Sequence, residues 1–539
     1  VIAVAQMPLT VNGKIDKKAL LALDQLQLKA TADEPPGSDD EQAIAAAFEA
    51  ILKVSNVGRQ GHFFELGGHS LLASQLVSHL AQHAQLSITL ADLFYAPQVH
   101  TLALAAARNK AANYTVASAV IPKVQSVTQL PVSFAQQRLW TIDQLQPGNV
   151  QYHMPANFEL HGLLDVDTFQ RVCDAIVQRH EVLRTFITVG KANLPQQVIQ
   201  DTFPSVLKII DASELNDEQQ QRLWLKTLRD DSQTAFDLRC QLPLRIILVK
   251  LHAKHWKLRV NMHHIASDAH SLAILVSEFE AFYQSFTSET RLPEQLAQPL
   301  SIQYGDYAHW QRSQLHQQQL DKHQAFWLQQ LQDAPPIHQI PLDKIRPKQL
   351  TSAGASYQIQ LDKTTVSAIH RQCQQFDVSL FMWLHSAYAA FVARYSQSDD
   401  VVIGAPFSGR SQTQLTPLIG FFINTLPIRC QLREDMCFEG LLAQQKQLIV
   451  GVGQHQAMPF EKIVDALQLP RGMSQQSVFQ LTFSLNPRLN TQFKLPNIQV
   501  TAIDEQPPQV KFDIELACSE DDDDELRFSW AYNTALFTP

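Results

Sequence analysis

The chain has 539 residues, 45% hydrophobic and 18% charged, with a formal net charge of −9. That length asks for two to four domains, and an acidic balance without a basic, aromatic-interleaved patch excludes a general nucleic-acid binder. No apolar run reaches a membrane span and no signal peptide opens the chain; with six cysteines that form no C-x-x-C pair and read as small buried hydrophobes, a cytoplasmic protein without nucleic acid or membrane partners is expected.

Residues 1–20 carry the run Pro8-Leu9-Thr10-Val11-Asn12-Gly13-Lys14-Ile15-Asp16-Lys17, and residues 21–35 read as a linker that runs into Pro35-Pro36-Gly37. Ser38 or Asp39 then caps a helix with Ile44, Ala47, Phe48, Ile51 and Leu52 at helical spacing. A second helix opens at Ser70 with Leu72, Leu76, Val77 and Leu80 as its stripe, and a third apolar segment holds Leu90, Leu93, Phe94, Val99, Leu102 and Leu104. Together they predict a small helical bundle over 36–107. Residues 108–127 are again linker-like. Beyond Leu130, strand patterns at Leu244–Leu251, Trp256–Met262, Val401–Gly404 and Thr425–Cys430 mix with helix patterns at Leu272–Phe286 and Leu380–Tyr395, the latter two preceded by the serine caps Ser271 and Ser379. The acidic run Glu520–Glu525 sits between two alternating segments and reads as a solvated hairpin loop. This is an α/β or α+β pattern, in two lobes.

Two patterns carry chemistry. In Gly61-His62-Phe63-Phe64-Glu65-Leu66-Gly67-Gly68-His69-Ser70-Leu71-Leu72 a serine opens a helix, where unpaired backbone N–H groups and the helix dipole favour an attached phosphate. The run closely resembles the attachment site of a peptidyl carrier protein, which implies that Ser70 tethers a 4'-phosphopantetheine arm and is not itself a nucleophile. The second pattern, His263-His264-Ile265-Ala266-Ser267-Asp268-Ala269, follows a strand and precedes a helix. In a chain with 20 histidines those positions alone do not separate a catalytic histidine from paired core histidines. Their neighbours do. Ser133–Trp140, Arg179–Thr185, the histidine run, Tyr304–Trp310, Ile419–Thr425 and His455–Glu461 follow one another in the order of six motifs of the condensation domain of nonribosomal peptide synthetases, a resemblance that spans 128–539. The run at Lys14 resembles the last motif of an adenylation domain.

The resemblance implies a multi-domain chain: the C-terminal tail of an adenylation domain (1–20, with Lys14 as its residual lysine), a small all-α four-helix carrier bundle (36–107), and an α/β, two-lobed, chloramphenicol-acetyltransferase-like condensation domain (128–539). Its N-lobe covers about 128–300 and its C-lobe about 301–539, ending before the closing helix such domains normally have. It further implies that a donor acyl or peptidyl group held on Ser70 is joined to the amine of an aminoacyl group on a downstream carrier. An upstream adenylation domain and a phosphopantetheinyl transferase are the other partners. His264 is expected to orient that amine and accept its proton, with His263 structural. Asp268 is expected in a buried ion pair, with Arg179 as first partner and Arg410 as second, or else orienting His264 as in a triad. Arg184 and Ala269 are placed as structural residues at the same site. Tyr304, Asn424 and Arg410 either line the substrate tunnel or belong to ordinary packing, and no metal is expected. Ala269 stands where the family has glycine, which is tolerable at negative φ; the last family motif is degraded at Arg471–Val478. His69 before the serine points to an all-L donor. The alternative is a non-catalytic platform that recruits tailoring enzymes; a free-CoA acyltransferase is the weaker rival.

Overall fold

The computed structural model describes residues 34–68, 70–112, 120–124, 129–190, 193–288, 290–314, 317–348, 350–433, 435–468, 478–486, 493–503, 509–520 and 525–539, without the side chains of Ser70, Leu71 and residues 317–319. The run with Lys14, His69, most of the degraded motif at 471–477 and the centre of the acidic loop at 521–524 lie outside the described residues. The chain forms two compact units, Val1–Ser118 and Ala119–Pro539, and each is described by itself.

Among the described residues the first unit holds four helices: α1 (Asp39–Leu52), α2 (Ser70–His83), α3 (Leu90–Tyr95) and α4 (Val99–Ala111). Ser38 is the cap of α1, its hydroxyl accepting from the Glu41 N–H. The third apolar segment divides into α3 and α4 at Ala96-Pro97, because a residue before proline is pushed out of the helical region. Ile44, Phe48, Phe63, Leu76, Leu80, Ile88, Leu93 and Leu102 are fully buried; Leu104, expected in the apolar stripe, is instead 69% exposed, on the outer face of α4.

In the second unit the order is β1 (Gln129–Pro131), α5 (Phe134–Leu145), β2 (His153–His161), α6 (Val166–Arg179), β3 (Thr185–Val189), β4 (Pro195–Ile199), β5 (Leu207–Asp211), α7 (Asp217–Gln233), β6 (Leu244–His252) and β7 (His255–His263). After them come α8 (Ala269–Ser288), α9 (Glu294–Ala297), α10 (Tyr304–Gln314), α11 (Gln317–Gln330), β8 (Gly354–Leu361), α12 (Lys363–Gln375), α13 (Leu380–Ser396), β9 (Asp400–Phe407) and β10 (Asn424–Gln431). The last elements are α14 (Phe438–Gln454), α15 (Phe460–Leu467), β11 (Leu481–Asn486), β12 (Gln499–Ala502), β13 (Ile514–Glu520) and β14 (Leu526–Asn533). All four expected strands form, each slightly longer than its apolar run, and β13 pairs antiparallel with β14 as the hairpin reading requires.

Among the described residues three sheets result: β12-β2-β7-β6-β5, β10-β9-β11-β13-β14-β8 and the ribbon β1-β4-β3. The strand β12, late in the sequence, crosses to the edge of the first lobe's sheet and pairs with β2. Ser379 caps α13 as expected. Ser271 does not cap α8: the helix begins two residues earlier and the cap is Asp268, whose Oδ1 accepts from the Ser271 N–H at 2.8 Å. Of the cysteines, Cys173, Cys373, Cys430 and Cys518 are buried as expected, whereas Cys240 and Cys437 are exposed.

Candidate functional site

In the first unit, the Phe-Phe-x-Leu-Gly-Gly run is a packing device that delivers a helix start. Phe63 is buried edge-on against Phe48 at 5.2 Å, and Phe64 stacks on Phe94 at 5.1 Å. Gly67 takes φ +94°, and a Cβ on Gly68 would lie 2.4 Å from the Phe63 ring and 2.5 Å from its carbonyl oxygen, so only glycine lets the chain double back this closely. The 14-residue helix α2 opens directly after this turn, at Ser70, with no acidic residue in its first turn. A helix start, with N–H groups that have no partner within the helix and a favourable dipole, and with no acidic residue in its first turn, fits an attached phosphodiester.

The second site is built where β7 ends. β7 lies between β2 and β6, with His263 opposite His153. The chain then makes a short 3-10 turn, His264–Ala266, before Asp268 caps α8. His263 is 3% exposed among Tyr152, His153 and Phe236. Its Nδ1 accepts from the Ile265 N–H at 3.0 Å, and burial, aided by His153, Lys511 and Arg245, pushes its pKa down to about 3. Buried and accepting at Nδ1, the ring is held neutral.

His264 is held differently. Its backbone N–H donates to the Tyr152 carbonyl at 2.8 Å, its ring stands edge-on to Phe421 at 5.6 Å, and its Nδ1 lies 3.1 Å from the Ser267 carbonyl. A carbonyl only accepts, so Nδ1 carries the proton and Nε2 keeps the basic lone pair. Burial first, then the charge of Lys511, holds the ring well below its ordinary pKa against the opposing Ser267 bond.

Asp268 is 1% exposed and paired with Arg410, not Arg179. Arg410 Nη2 donates to its Oδ1 at 3.1 Å, the Ser271 hydroxyl to the same oxygen at 2.7 Å, and the Phe422 N–H to Oδ2 at 3.2 Å. Arg410 is fully buried, donating through Nη1 to the carbonyls of Leu415 and Leu418 and lying 4.0 Å from the Phe422 ring centroid. Gly409 before it has φ +65°, and a Cβ there would come within 2.1 Å of the Phe422 carbonyl oxygen. The first expected partner, Arg179, is taken by Glu278 at 3.1 Å and by the carbonyls of Gln295, Leu296 and Gln298. Glu278 lies ten residues beyond Asp268 on α8, about 15 Å along the axis, which separates the two ion pairs. Arg184 is likewise anchored away from Asp268, donating to the Gln200 carbonyl at 2.6 Å.

For the residues left open between tunnel and packing, the contacts are those of packing. Tyr304 is 1% exposed, and its hydroxyl donates to the Phe421 carbonyl at 2.6 Å while taking the Ser133 hydroxyl at 2.8 Å; it fastens three motifs together instead of lining a tunnel. Asn424 uses both ends of its amide on the sixth motif, donating to Gln456 and Met458 carbonyls and accepting from the Phe460 N–H. Arg410 is part of the buried knot. Ala269 is exposed at the first position of α8 and is not among the residues with positive φ, so its methyl group meets no penalty there.

Lys511 was not legible as a site residue. It enters from just before β13, its Nζ lying 5.4 Å from the Tyr152 ring centroid, and its charge acts on both His263 and His264. Burial, with Arg138 adding and Glu515 opposing, lowers its own pKa to about 8. Arg138 in turn pairs with Glu461 at 3.2 Å.

A family model described as "Condensation domain" matches residues 126–539, and one described as "Phosphopantetheine attachment site" matches 42–105. Among curated proteins, a component of the linear gramicidin synthase of Brevibacillus parabrevis is 35% identical over 537 residues, 98% of this chain and 10% of that protein. The malpibaldin synthetase of Mortierella alpina is 35% identical over 533 residues, 98% of this chain and 9% of that protein. The chain therefore spans about a tenth of the length of the curated relatives it matches. Among solved structures, the X-domain from teicoplanin biosynthesis is similar with a TM-score of 0.68 at 25% identity, over 78% of this chain and 93% of that one. The first condensation domain of the CDA synthetase follows with 0.62 at 18%, over 77% and 92%, a likeness of fold alone. Among the described residues, no single helix is long and apolar enough to cross a membrane.

Proposed function

Because the chain belongs to the condensation-domain family of nonribosomal peptide synthetases and carries a phosphopantetheine attachment domain ahead of it, we propose that it forms one amide bond between a donor acyl group on Ser70 and the amine of an aminoacyl group on a downstream carrier. The observation that carries this reading is His264: a neutral ring whose Nδ1–H donates a hydrogen bond to the Ser267 carbonyl, leaving Nε2 as the base. Bound at Ser70, the 4'-phosphopantetheine arm supplies a thiol that presents the acyl group as a thioester. The turn at Gly67-Gly68 and the first turn of α2 hold its phosphodiester.

An α-amine has a pKa of roughly 8, so about a tenth is free base at neutral pH and deprotonating the rest costs only about 1.4 kcal/mol. Bringing two tethered groups together is the larger contribution, worth up to ~7–11 kcal/mol. His264 therefore orients the attacking amine and accepts the amine's proton on Nε2 as the bond forms. Asp268 does not touch His264 as a triad acid would; it keeps the loop through Phe421 and Phe422 against the histidine turn. The intact histidine pair and its knot support catalysis over the recruitment platform, and His69 supports an all-L donor.

Intact-mass measurement after treatment with CoA and a phosphopantetheinyl transferase is expected to add one arm to the wild type and none to Ser70→Ala. With a donor on Ser70 and an aminoacyl carrier supplied in trans, single-turnover transfer is expected to fall about 10²-fold in His264→Ala, with folding unchanged. Equal rates in wild type and variant overturn the assignment of His264.

A further inference from the structure

On the other end of the β2–β7 pair, away from His263, the sheet brings together residues that the acyl transfer does not use. Glu159 and His161 are two apart on β2 and share a face; His255, the first residue of β7, is the register partner of His161. One ligand atom from each lies within 4.8 Å of the other two, and this is the one such group of three among the described residues. His255 Nε2 is 2.6 Å from Glu159 Oε1, His161 Nε2 is 3.8 Å from Glu159 Oε2, and the two imidazoles are stacked at 4.4 Å. We propose that Glu159, His161 and His255 form a binding site for a borderline divalent cation, Zn²⁺ foremost.

The donor set argues for that class. Two imidazoles and one carboxylate suit Zn²⁺, whereas Mg²⁺ and Ca²⁺ take oxygen ligands. Tetrahedral bonds of about 2.0–2.1 Å put neighbouring ligands about 3.3 Å apart, between the 2.6 and 3.8 Å already present, so small side-chain rotations complete the geometry. Both donor strands are internal to the sheet, β2 between β12 and β7 and β7 between β2 and β6, which holds the three Cα positions fixed. The side chains are 29–47% exposed, so an ion reaches them from solvent.

Lys257, opposite Glu159 on β7, contacts Gln221 and the Trp224 ring, and its charge, with those of His255 and His161, favours the ionised form of the Glu159 carboxyl that a cation needs. Three protein ligands leave a fourth position. Beside them opens a cleft of about 320 Å³ lined by Glu159, Asp217, His252 and His255, where water or His252, whose ring is 6.2 Å from that of His255, completes the shell.

The position gives the ion a structural consequence. β12 pairs with β2 over the same stretch, Thr501 opposite Glu159 and Gln499 opposite His161. A cation across β2 and β7 therefore clamps the strand on which the crossing segment lands.

Calorimetric titration of the tag-free protein with Zn²⁺ alone is expected to show one equivalent bound, with a rise in melting temperature. The double substitution His161→Ala/His255→Ala removes that equivalent and the rise; Glu159→Gln, nearly isosteric, weakens binding about tenfold or more. The Co²⁺-loaded wild type shows the visible absorption of a four-coordinate site, and the double variant does not. Amide-forming activity is expected to be unchanged in every variant, which separates this site from the reading of His264. Absence of Zn²⁺ uptake by the wild type, or equal stoichiometry and affinity in the wild type and the folded Glu159→Gln and double variants, overturns the proposal.

Discussion

At the scale of single residues, the state of His264 depends on a lysine that arrives from the other lobe. Lys511 lowers the basicity of both histidines and is itself held at about 8 instead of 10.5 by burial. Removing a nearby positive charge makes protonation of His264 easier, so Lys511→Met is expected to shift the acidic limb of the transfer-rate profile to higher pH. A packing role alone would lower the rate without moving that limb. The same shift has a stability sign. The unfolded chain binds the lysine proton more tightly than the folded one between about pH 8 and 10.5, so the Lys511 contribution favours folding increasingly as pH rises through that window. In denaturant titrations, Lys511→Met is expected to flatten that rise; an identical slope in wild type and variant contradicts a depressed Lys511.

At the scale of elements, Asp268 does three tasks through two oxygens: it caps α8, neutralises Arg410 and holds the Phe422 N–H. Its removal leaves a guanidinium buried without a carboxylate, so Asp268→Ala is expected to cost about 3–5 kcal/mol of stability in chemical unfolding. Asp268→Asn, which keeps the cap but not the charge, is expected to fall in between. A variant Asp268→Ala that melts like wild type yet transfers nothing would point to a direct catalytic role instead. The helix start also shows why sequence alone points to Ser271 as the cap. Ser and Asp are both good caps at that level, and only the hydrogen bond from the Ser271 N–H to Asp268 shows which residue holds the position.

At the scale of the whole second unit, the two lobes share elements instead of meeting at a cut in the sequence. β12 completes the first lobe's sheet, the Ile503 N–H continuing its pairing to the Asn157 carbonyl at 2.9 Å, while Arg138–Glu461 and Ser133–Tyr304–Phe421 tie α5 to the second half of the chain. Ile503→Pro deletes one donor at this crossing. A lost hydrogen bond of about 0.5–1.5 kcal/mol predicts amide exchange roughly 2–10-fold faster along β2, with β9 and β13 unaffected. Equal acceleration in both lobes would mean that β12 is part of a single cooperative unit and not a local joint.

What the sequence by itself determined was most of what is local, the cap of α8 and the burial of Leu104 excepted. The helix of the carrier run opens at Ser70 because two glycines and the packed Phe63 and Phe64 rings dictate that turn, the four apolar runs became strands, and the order of the six motifs identified the family that the domain match bears out. The tertiary structure alone decided which distant residues meet. On paper Arg179 comes ahead of Arg410 as the partner of Asp268, but α6 carries Arg179 to Glu278 and the turn at Gly409 carries Arg410 to Asp268. Tyr304 and Asn424 became fasteners for the same reason, and Lys511 and the Glu159–His161–His255 group stayed hidden. A charge or a donor atom acts over a few ångströms of space, and separations that run from 32 residues for Asn424 and Gln456 to about 250 for His264 and Lys511 leave no periodicity from which that closeness can be read.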